Sequence, residues 1–124
     1  MAEVIYHDAK PAQRCSRLSE CNGILYFEPH IAAGASKAEM SMKEQAAALL
    51  KRYEELLVQF GSDKHHIISV TCVIRDAAEI GELNEAWDAW IDQGFQPPRS
   101  VIVGTTIAEC YKLYMTMIAA KVDG

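Results

Sequence analysis

Arg99 is the residue whose type and position point most directly to chemistry. It follows a turn at residues 94–98 that ends in two prolines, and it precedes an apolar stretch at residues 100–103. A guanidinium at the start of a rigid strand can bind a carboxylate through two parallel hydrogen bonds. The sequence therefore predicts that Arg99 orients a small organic acid, with a structural ion pair or a subunit contact as the alternative use of this residue.

The composition is that of an ordinary globular chain of 124 residues, with 50% hydrophobic and 23% charged residues. This length is typical of one domain, which we expect to span residues 1–124. The formal net charge of -5 disfavours nucleic-acid binding, because nucleic-acid-binding surfaces are basic. No apolar stretch predicts a membrane span, and the N-terminus lacks the pattern of a signal peptide. We therefore expect a cytoplasmic protein that does not bind membranes.

The cysteines and histidines do not follow a metal-binding pattern. The four cysteines are irregularly spaced and form no CxxC pair. In a chain without a secretory signal, this spacing predicts reduced thiols. The adjacent pair His65 and His66 fits a solvated turn better than a metal site. We expect neither a metal ion nor another cofactor.

The elements that position Arg99 include an early hairpin. Residues 17–21 and 24–27 have strand composition and flank Asn22-Gly23. This dipeptide tolerates the positive φ that tight hairpin turns require. Around the hairpin we predict a short strand at residues 4–6 and loops at residues 10–14 and 32–36.

Two amphipathic helices are predicted. The first spans residues 41–60, where apolar side chains recur at three- and four-residue steps. Ser41 and Glu44 have the spacing of a capping box at its start, and Gly61 can end it in a left-handed conformation. The second helix spans residues 80–92.

The remaining strands complete an α+β fold. Residues 67–74 are rich in β-branched side chains, and two further strands are predicted at residues 100–106 and 112–122. The resulting order is β-β-β-α-β-α-β-β, with two helices on one face of a sheet. No further helix is predicted to cover the other face, so self-association is expected to cover it.

Several short segments match the order and spacing of a known family over nearly the whole chain. They are residues 17–27, Gln45, Leu56-Leu57 with Gly61, residues 70–76, Asn84-Glu85-Ala86-Trp87, Pro98-Arg99-Ser100 and Ile118-Ala119-Ala120. Together they resemble the reactive intermediate deaminase family, also called Rid or YjgF. The stretch from residue 84 to residue 99 is similar to the YoaB-like branch of that family.

This resemblance implies both a fold and a chemistry. The implied fold is chorismate-mutase-like, and the implied assembly is a homotrimer with a barrel-like centre and clefts between subunits. Deaminases of the family hydrolyse reactive enamines and imines to 2-keto acids and ammonia. The pyridoxal phosphate belongs to the enzymes that release these compounds, so the resemblance implies no cofactor here.

The resemblance also assigns residues to the cleft. Arg99 matches the arginine that holds the substrate carboxylate, with the backbone N–H of Val101 as an additional donor. Tyr114 stands where deaminases of the family have a glutamate that positions water. A tyrosine hydroxyl can hydrogen-bond to that water, but it is a poor base at neutral pH.

Two further segments differ from the family pattern. Ser16 lies where the family often has a cleft-lining tyrosine, and residues 27–30 replace a small, open segment. We expect Ser16, Glu28 and His30 to line the substrate site, with Glu28 or His30 as a substitute for the missing glutamate. The alternative for both residues is a position at the rim or the subunit interface.

Two classes of function remain open at this point. The first is an enzyme, an imine or enamine deaminase that uses Arg99 and Tyr114. The second is a non-catalytic homotrimer that binds a 2-keto acid through Arg99, since Tyr114 replaces the glutamate. A ribonuclease or translation-inhibitor activity is disfavoured by the acidic charge.

Overall fold

The structure, a computed structural model, describes residues 2–9 and 14–122. Within these residues, six strands form one mixed sheet in the order β1-β2-β3-β6-β4-β5. Its β4 and β5 run parallel, and the other neighbours are antiparallel. The elements are β1 (Ile5–His7), β2 (Leu18–Cys21), β3 (Ile24–Phe27), α1 (Met42–Gln59), β4 (Ile67–Ile74), α2 (Ile80–Trp90), β5 (Arg99–Val103) and β6 (Leu113–Ala120). The predicted α+β class and element order are confirmed.

Several predicted boundaries are corrected by the structure. The predicted loop at residues 32–36 contains a 3-10 turn at Ala33–Ser36, and most of the predicted loop at residues 10–14 lies outside the described residues. The second helix ends at Trp90 because Ile91 adopts an extended conformation. The strand predicted at residues 100–106 begins at Arg99 and ends at Val103, where its partner β4 also ends.

The first helix forms as its sequence predicts. The Ser41 hydroxyl accepts a hydrogen bond from the Glu44 N–H at 3.1 Å, and the Glu44 carboxylate accepts one from the Ser41 N–H at 2.9 Å. This capping box satisfies backbone donors that the first helical turn leaves unpaired. After the helix, Gly61 has a φ of 86°, which only glycine adopts without steric cost. Neither helix of the described residues is long and apolar enough to cross a bilayer.

The two helices cover one face of the sheet, as predicted. Along β6, the side chains of Leu113, Met115, Met117 and Ala119 are buried in the core, and the side chains between them are half-buried. This alternation is typical of a strand that packs on helices with one face only. The opposite face displays apolar side chains such as Tyr26 and Ile102, both exposed. No described element covers this second face.

Gln45 is a polar residue that is fully buried on α1. Its amide nitrogen donates to the backbone oxygens of Met40 at 3.1 Å and Cys110 at 2.9 Å. Its amide oxygen accepts from the Lys112 N–H at 3.0 Å. One side chain therefore satisfies three backbone groups and connects the start of α1 to the segment that leads into β6.

Replacing Gln45 should test this connection. We expect Gln45→Leu to lower the free energy of unfolding by about 3 kcal/mol, because buried backbone groups lose their hydrogen-bond partners. The matched control is Gln59→Leu, the same change at an exposed position of the same helix, for which a change within about 0.5 kcal/mol is expected. Urea unfolding followed by circular dichroism measures both. Equal losses in the two variants would contradict the role of Gln45.

Candidate functional site

Arg99 begins β5, and its guanidinium is oriented by two residues of α2. Its Nη2 donates a hydrogen bond to Oδ1 of Asn84 at 2.6 Å. Its central carbon lies 5.2 Å from the ring centroid of Trp87, within the range of a cation–π contact. Asn84 and Trp87 are three residues apart and therefore lie on the same face of the helix. The amide and the indole together fix the plane of the guanidinium.

The positive charge of Arg99 has no acidic partner in the part of the chain that the structure describes. The ion pairs found there do not include this residue. In addition, its Nη1 is buried without a hydrogen-bond partner. A half-buried cation with an unsatisfied donor is rare in folded proteins and calls for an explanation, for which a bound anion is one candidate.

The backbone of Val101 offers a second donor near Arg99. On the parallel ladder Val70 lies beside Arg99, and its N–H donates to the Pro98 oxygen at 3.0 Å. Alternate residues of a strand direct their backbone groups to the same neighbour, so Ser100 faces β4 as Pro98 does. The N–H of Val101, which lies between two such residues, therefore points away from β4. Because β5 is the last strand of the sheet, this N–H lies on the free edge.

Tyr114 lies on the face of the sheet opposite to Arg99. It is the second residue of β6 and pairs with Val73 of β4, on the face that the helices do not cover. The Arg99 side chain instead contacts Trp87 on the helix-covered face. The structure therefore does not bring the two predicted catalytic residues together within one protomer.

Ser16 and Glu28 lie together, near the start of β2 and the end of β3. They share the lining of a cavity of about 340 Å³. The Glu28 carboxylate accepts a hydrogen bond from the Cys15 thiol at 3.1 Å. This hydrogen bond and the charge of Glu28 raise the pKa of the thiol, so Cys15 is not set up as a nucleophile.

His30 is held in place by its backbone and by Tyr53. It exchanges two backbone hydrogen bonds with Met115, at 2.8 and 3.0 Å, and its ring packs edge to face on the Tyr53 ring with centroids 5.0 Å apart. The Tyr53 hydroxyl lies 3.0 Å from the Glu28 backbone oxygen and 2.9 Å from that of Met115. Burial raises the pKa of Tyr53, so the hydroxyl remains a donor that fixes residues 28–30.

These residues form two groups within one protomer. Ser16, Glu28 and His30 surround the end of β3, while Arg99 and Val101 lie on β5. Two strands separate β3 from β5, which corresponds to about 14 Å at ordinary strand spacing. A small acid bound to Arg99 therefore cannot reach Glu28 or His30 of the same chain.

Asn84, Trp87 and Tyr53 are positioning residues, a role that residue spacing alone does not assign to them. Asn84 and Trp87 are three residues apart on a predicted helix that ends shortly before the turn into Arg99. This spacing is the sequence signal that could have linked the two residues to Arg99. Periodicity correctly places Tyr53 in the core, and a buried tyrosine requires an acceptor for its hydroxyl. The identity of that acceptor depends on tertiary contacts.

The half-buried ring of His30 should make stability depend on pH. Burial lowers the pKa of His30 below its ordinary value of 6.5, so the unfolded state takes up the proton first as the pH falls. Stability should therefore decrease as the pH drops from about 7 to about 5. Urea unfolding across this range should show a smaller decrease for His30→Gln than for the wild type or for the surface control Lys51→Gln. Identical pH slopes in all three proteins would contradict this assignment.

Comparison with known proteins agrees with this fold. The family model described as "Endoribonuclease L-PSP" matches residues 6–121. A RutC family protein of Haemophilus influenzae is 28% identical over 109 residues, which cover 88% of this chain and 92% of the relative. The RutC family protein YoaB of Escherichia coli K12 is 31% identical over 77 residues, which cover 62% of this chain and 68% of the relative. A solved YjgF-family protein from Neisseria meningitidis is 25% identical, with a TM-score of 0.87 over 98% of both chains. The chain therefore belongs to the Rid/YjgF family.

Proposed function

We propose that the protein hydrolyses reactive 2-imino and enamine acids to 2-keto acids and ammonia. The observation that carries the proposal is the guanidinium of Arg99, which Asn84 and Trp87 orient without neutralising its charge. The carboxylate of such a substrate would pair with this positive charge and accept a hydrogen bond from the free-edge N–H of Val101. Family membership supports this class of substrate, and neither a metal nor a cofactor is required for the reaction.

The proposed reaction adds one water molecule to the substrate. An enamine first becomes the imine by proton transfer to its terminal carbon. Water then adds to the carbon of the C=N bond while the nitrogen gains a proton, which gives a tetrahedral amino alcohol. The C–N bond breaks with its electrons leaving on nitrogen, ammonia departs, and the hydroxyl loses its proton to become the ketone. Holding the carboxylate fixes this carbon relative to the attacking water.

The proposed cleft is completed by a second subunit. Arg99 and Tyr114 face opposite sides of the sheet, and Glu28 lies too far from Arg99 for both to contact one small ligand in a single chain. The apolar side chains on the uncovered face favour association, and we propose a homotrimer in which Arg99 of one subunit meets Tyr114 of the next. The Tyr114 hydroxyl then positions the attacking water by a hydrogen bond.

Replacing Arg99 tests the proposed ligand site. For Arg99→Gln we expect two quantities to fall by about 10- to 100-fold, namely the rate of protein-dependent hydrolysis of 2-aminoacrylate and the affinity for 2-oxobutyrate. A fall of this size corresponds to the free energy of one charge-assisted hydrogen bond. Ammonia release measures the first quantity and calorimetry the second. Arg52→Gln, which removes an exposed guanidinium from α1, is the matched control and should keep both properties. Equal losses in the two variants, or no loss in either, would reject the role of Arg99.

A mixing experiment tests the shared cleft. Arg99→Gln and Tyr114→Phe chains should each keep only a small residual activity alone, since each lacks one member of every cleft. In randomly mixed trimers, about a quarter of the clefts receive the intact Arg99 and the intact Tyr114 from different chains, so activity should return to about that fraction. As a control, each variant is mixed with an Arg99→Gln, Tyr111→Phe double variant, which keeps Tyr114. Activity should return when the double variant is mixed with Tyr114→Phe chains, and it should not return when it is mixed with Arg99→Gln chains. No recovery in the first mixture would contradict the intersubunit cleft.

A non-catalytic binding role is the second candidate function. It is supported by Tyr114, which is a weaker base than the glutamate found in deaminases of the family. In this case 2-oxobutyrate would bind through Arg99, while 2-aminoacrylate would decay at the same rate with and without the wild-type protein. The endoribonuclease description of the family model has no support from the formal charge of -5 and is not proposed for this chain.

A further inference from the structure

The carboxylate of Glu28 lies on the face of the sheet that the helices leave uncovered. Phe27, the last residue of β3, is buried in the core, whereas Tyr26 before it is exposed. The ladder to β2 continues past the end of β3, because the Glu28 N–H donates to the Arg17 oxygen at 2.9 Å. Side chains alternate between the two faces along an extended chain, so the Glu28 side chain is on the same face as Tyr26.

Tyr114 lies on this same face, on the neighbouring strand β6. In the antiparallel ladder Tyr26 pairs with Ile118. Two residues further, Glu28 lies beside Thr116, whose hydroxyl donates to the last backbone oxygen of β3 at 2.8 Å. Tyr114 is two residues beyond Thr116 and shares its face. Diagonal neighbours of this kind are about 7–8 Å apart between Cα atoms, a distance that two side chains and one water molecule can span.

The Glu28 carboxylate has no ion-pair partner in the part of the chain that the structure describes. Arg17, its neighbour on the ladder, pairs instead with Asp8 at 2.7 Å. Arg14 borders the same cavity, but it is exposed and forms no ion pair with Glu28. The hydrogen bond that the carboxylate accepts comes from the uncharged Cys15 thiol. The negative charge of Glu28 is therefore available to a ligand.

His30 does not share this position. It pairs with Met115 across the sheet, and the Met115 side chain is buried in the core, so both side chains lie on the helix-covered face. The His30 ring accordingly contacts Tyr53 of α1. Of Glu28 and His30, only Glu28 therefore shares a face with Tyr114.

We propose that Glu28 is the proton-transfer group of the shared cleft, next to Tyr114 of its own chain and opposite Arg99 of the neighbouring subunit. This inference rests on the proposed function. A substrate between these groups has its carboxylate on the Arg99 guanidinium and its nitrogen toward Glu28. The nitrogen gains positive charge as it takes up a proton, and an unpaired carboxylate beside it stabilises that charge.

The carboxylate acts twice in the hydrolysis of one imine. It accepts a proton from the attacking water as the water oxygen bonds to the imine carbon, and it passes this proton to the nitrogen to give the neutral amino alcohol. It then accepts the hydroxyl proton of that intermediate and passes it to the nitrogen as the C–N bond breaks with its electrons leaving on nitrogen. The ketone forms, ammonia departs and the carboxylate is regenerated.

Two ligands that differ in one group test whether Glu28 faces the ligand nitrogen. 2-Aminobutyrate carries an ammonium group where 2-oxobutyrate carries a carbonyl oxygen. By calorimetry we expect Glu28→Gln to lower the affinity for 2-aminobutyrate by about tenfold or more, which corresponds to one charge-assisted hydrogen bond. The affinity for 2-oxobutyrate should not fall. Arg99→Gln should lower both affinities, and Glu39→Gln, the same change at an exposed position before α1, should lower neither.

Three results of this comparison would overturn the proposal. They are an unchanged affinity of Glu28→Gln for 2-aminobutyrate, an equal loss of affinity for both ligands, and a wild-type protein that binds neither ligand. Circular dichroism confirms that each variant is folded, and Glu28→Asp, which keeps the carboxylate, should retain part of the preference for 2-aminobutyrate.

Mixed trimers test the proton transfer and the placement of Glu28 together. Alone, Glu28→Gln chains should hydrolyse 2-aminoacrylate about 100-fold more slowly than the wild type. In a mixture with Arg99→Gln chains, about a quarter of the clefts are intact, so activity should return to about that fraction. In a mixture with Tyr114→Phe chains no activity should return, because Glu28 and Tyr114 of every cleft come from one chain.

Recovery in the mixture with Tyr114→Phe, or full activity of Glu28→Gln alone, would overturn the role of Glu28 while leaving the proposed function intact. A wild-type protein that does not accelerate hydrolysis would contradict the proposed function and the proton transfer with it. The comparison of 2-aminobutyrate with 2-oxobutyrate would then still decide whether Glu28 faces the ligand nitrogen.

Discussion

The alternation of side chains along β6 is the constraint on which the rest of the structure depends. This strand lies at the centre of the sheet, between β3 and β4, and its buried residues face the two helices. Because strand side chains alternate between faces, the register of β6 determines on which side every paired residue of the sheet lies. A slip by one residue would move Met115 and Met117 out of the core. The same register directs Arg99 toward the helices and Tyr114 away from them.

The residues that orient Arg99 are uncharged, and this affects the free energy of binding an anion. A carboxylate beside the guanidinium would hold it in place but would also neutralise it and compete with an acidic ligand. The Asn84 amide and the Trp87 ring are uncharged, so they restrict the orientation of the guanidinium and leave its charge available. Such preorganisation reduces the entropy that a ligand must otherwise overcome on binding. This arrangement costs free energy locally, because Nη1 of Arg99 is buried without a hydrogen-bond partner.

The elements of the fold were largely predictable from sequence because their signals are local. The capping box at Ser41 and Glu44, the positive-φ position at Gly61 and the β-branched run of β4 each specify an element without distant contacts. Strand β5 was less predictable, since its end depends on where β4 stops. Within the site, Arg99 was recognisable from its flanking turn. The contacts of Arg99 with α2 depend on helix packing, and its separation from Tyr114 depends on strand register. Neither can be read from the spacing of residues in the sequence.

The free edge of β5 has a consequence for how chains of this protein meet. The outward N–H and C=O groups of Arg99, Val101 and Val103 form a short row that another extended segment could pair with. Pro97 and Pro98 stand directly before that row, and neither can donate a backbone hydrogen bond. An incoming strand can therefore form only a few bonds before the ladder stops. The turn that precedes Arg99 thus also limits unwanted strand addition at this edge of the sheet.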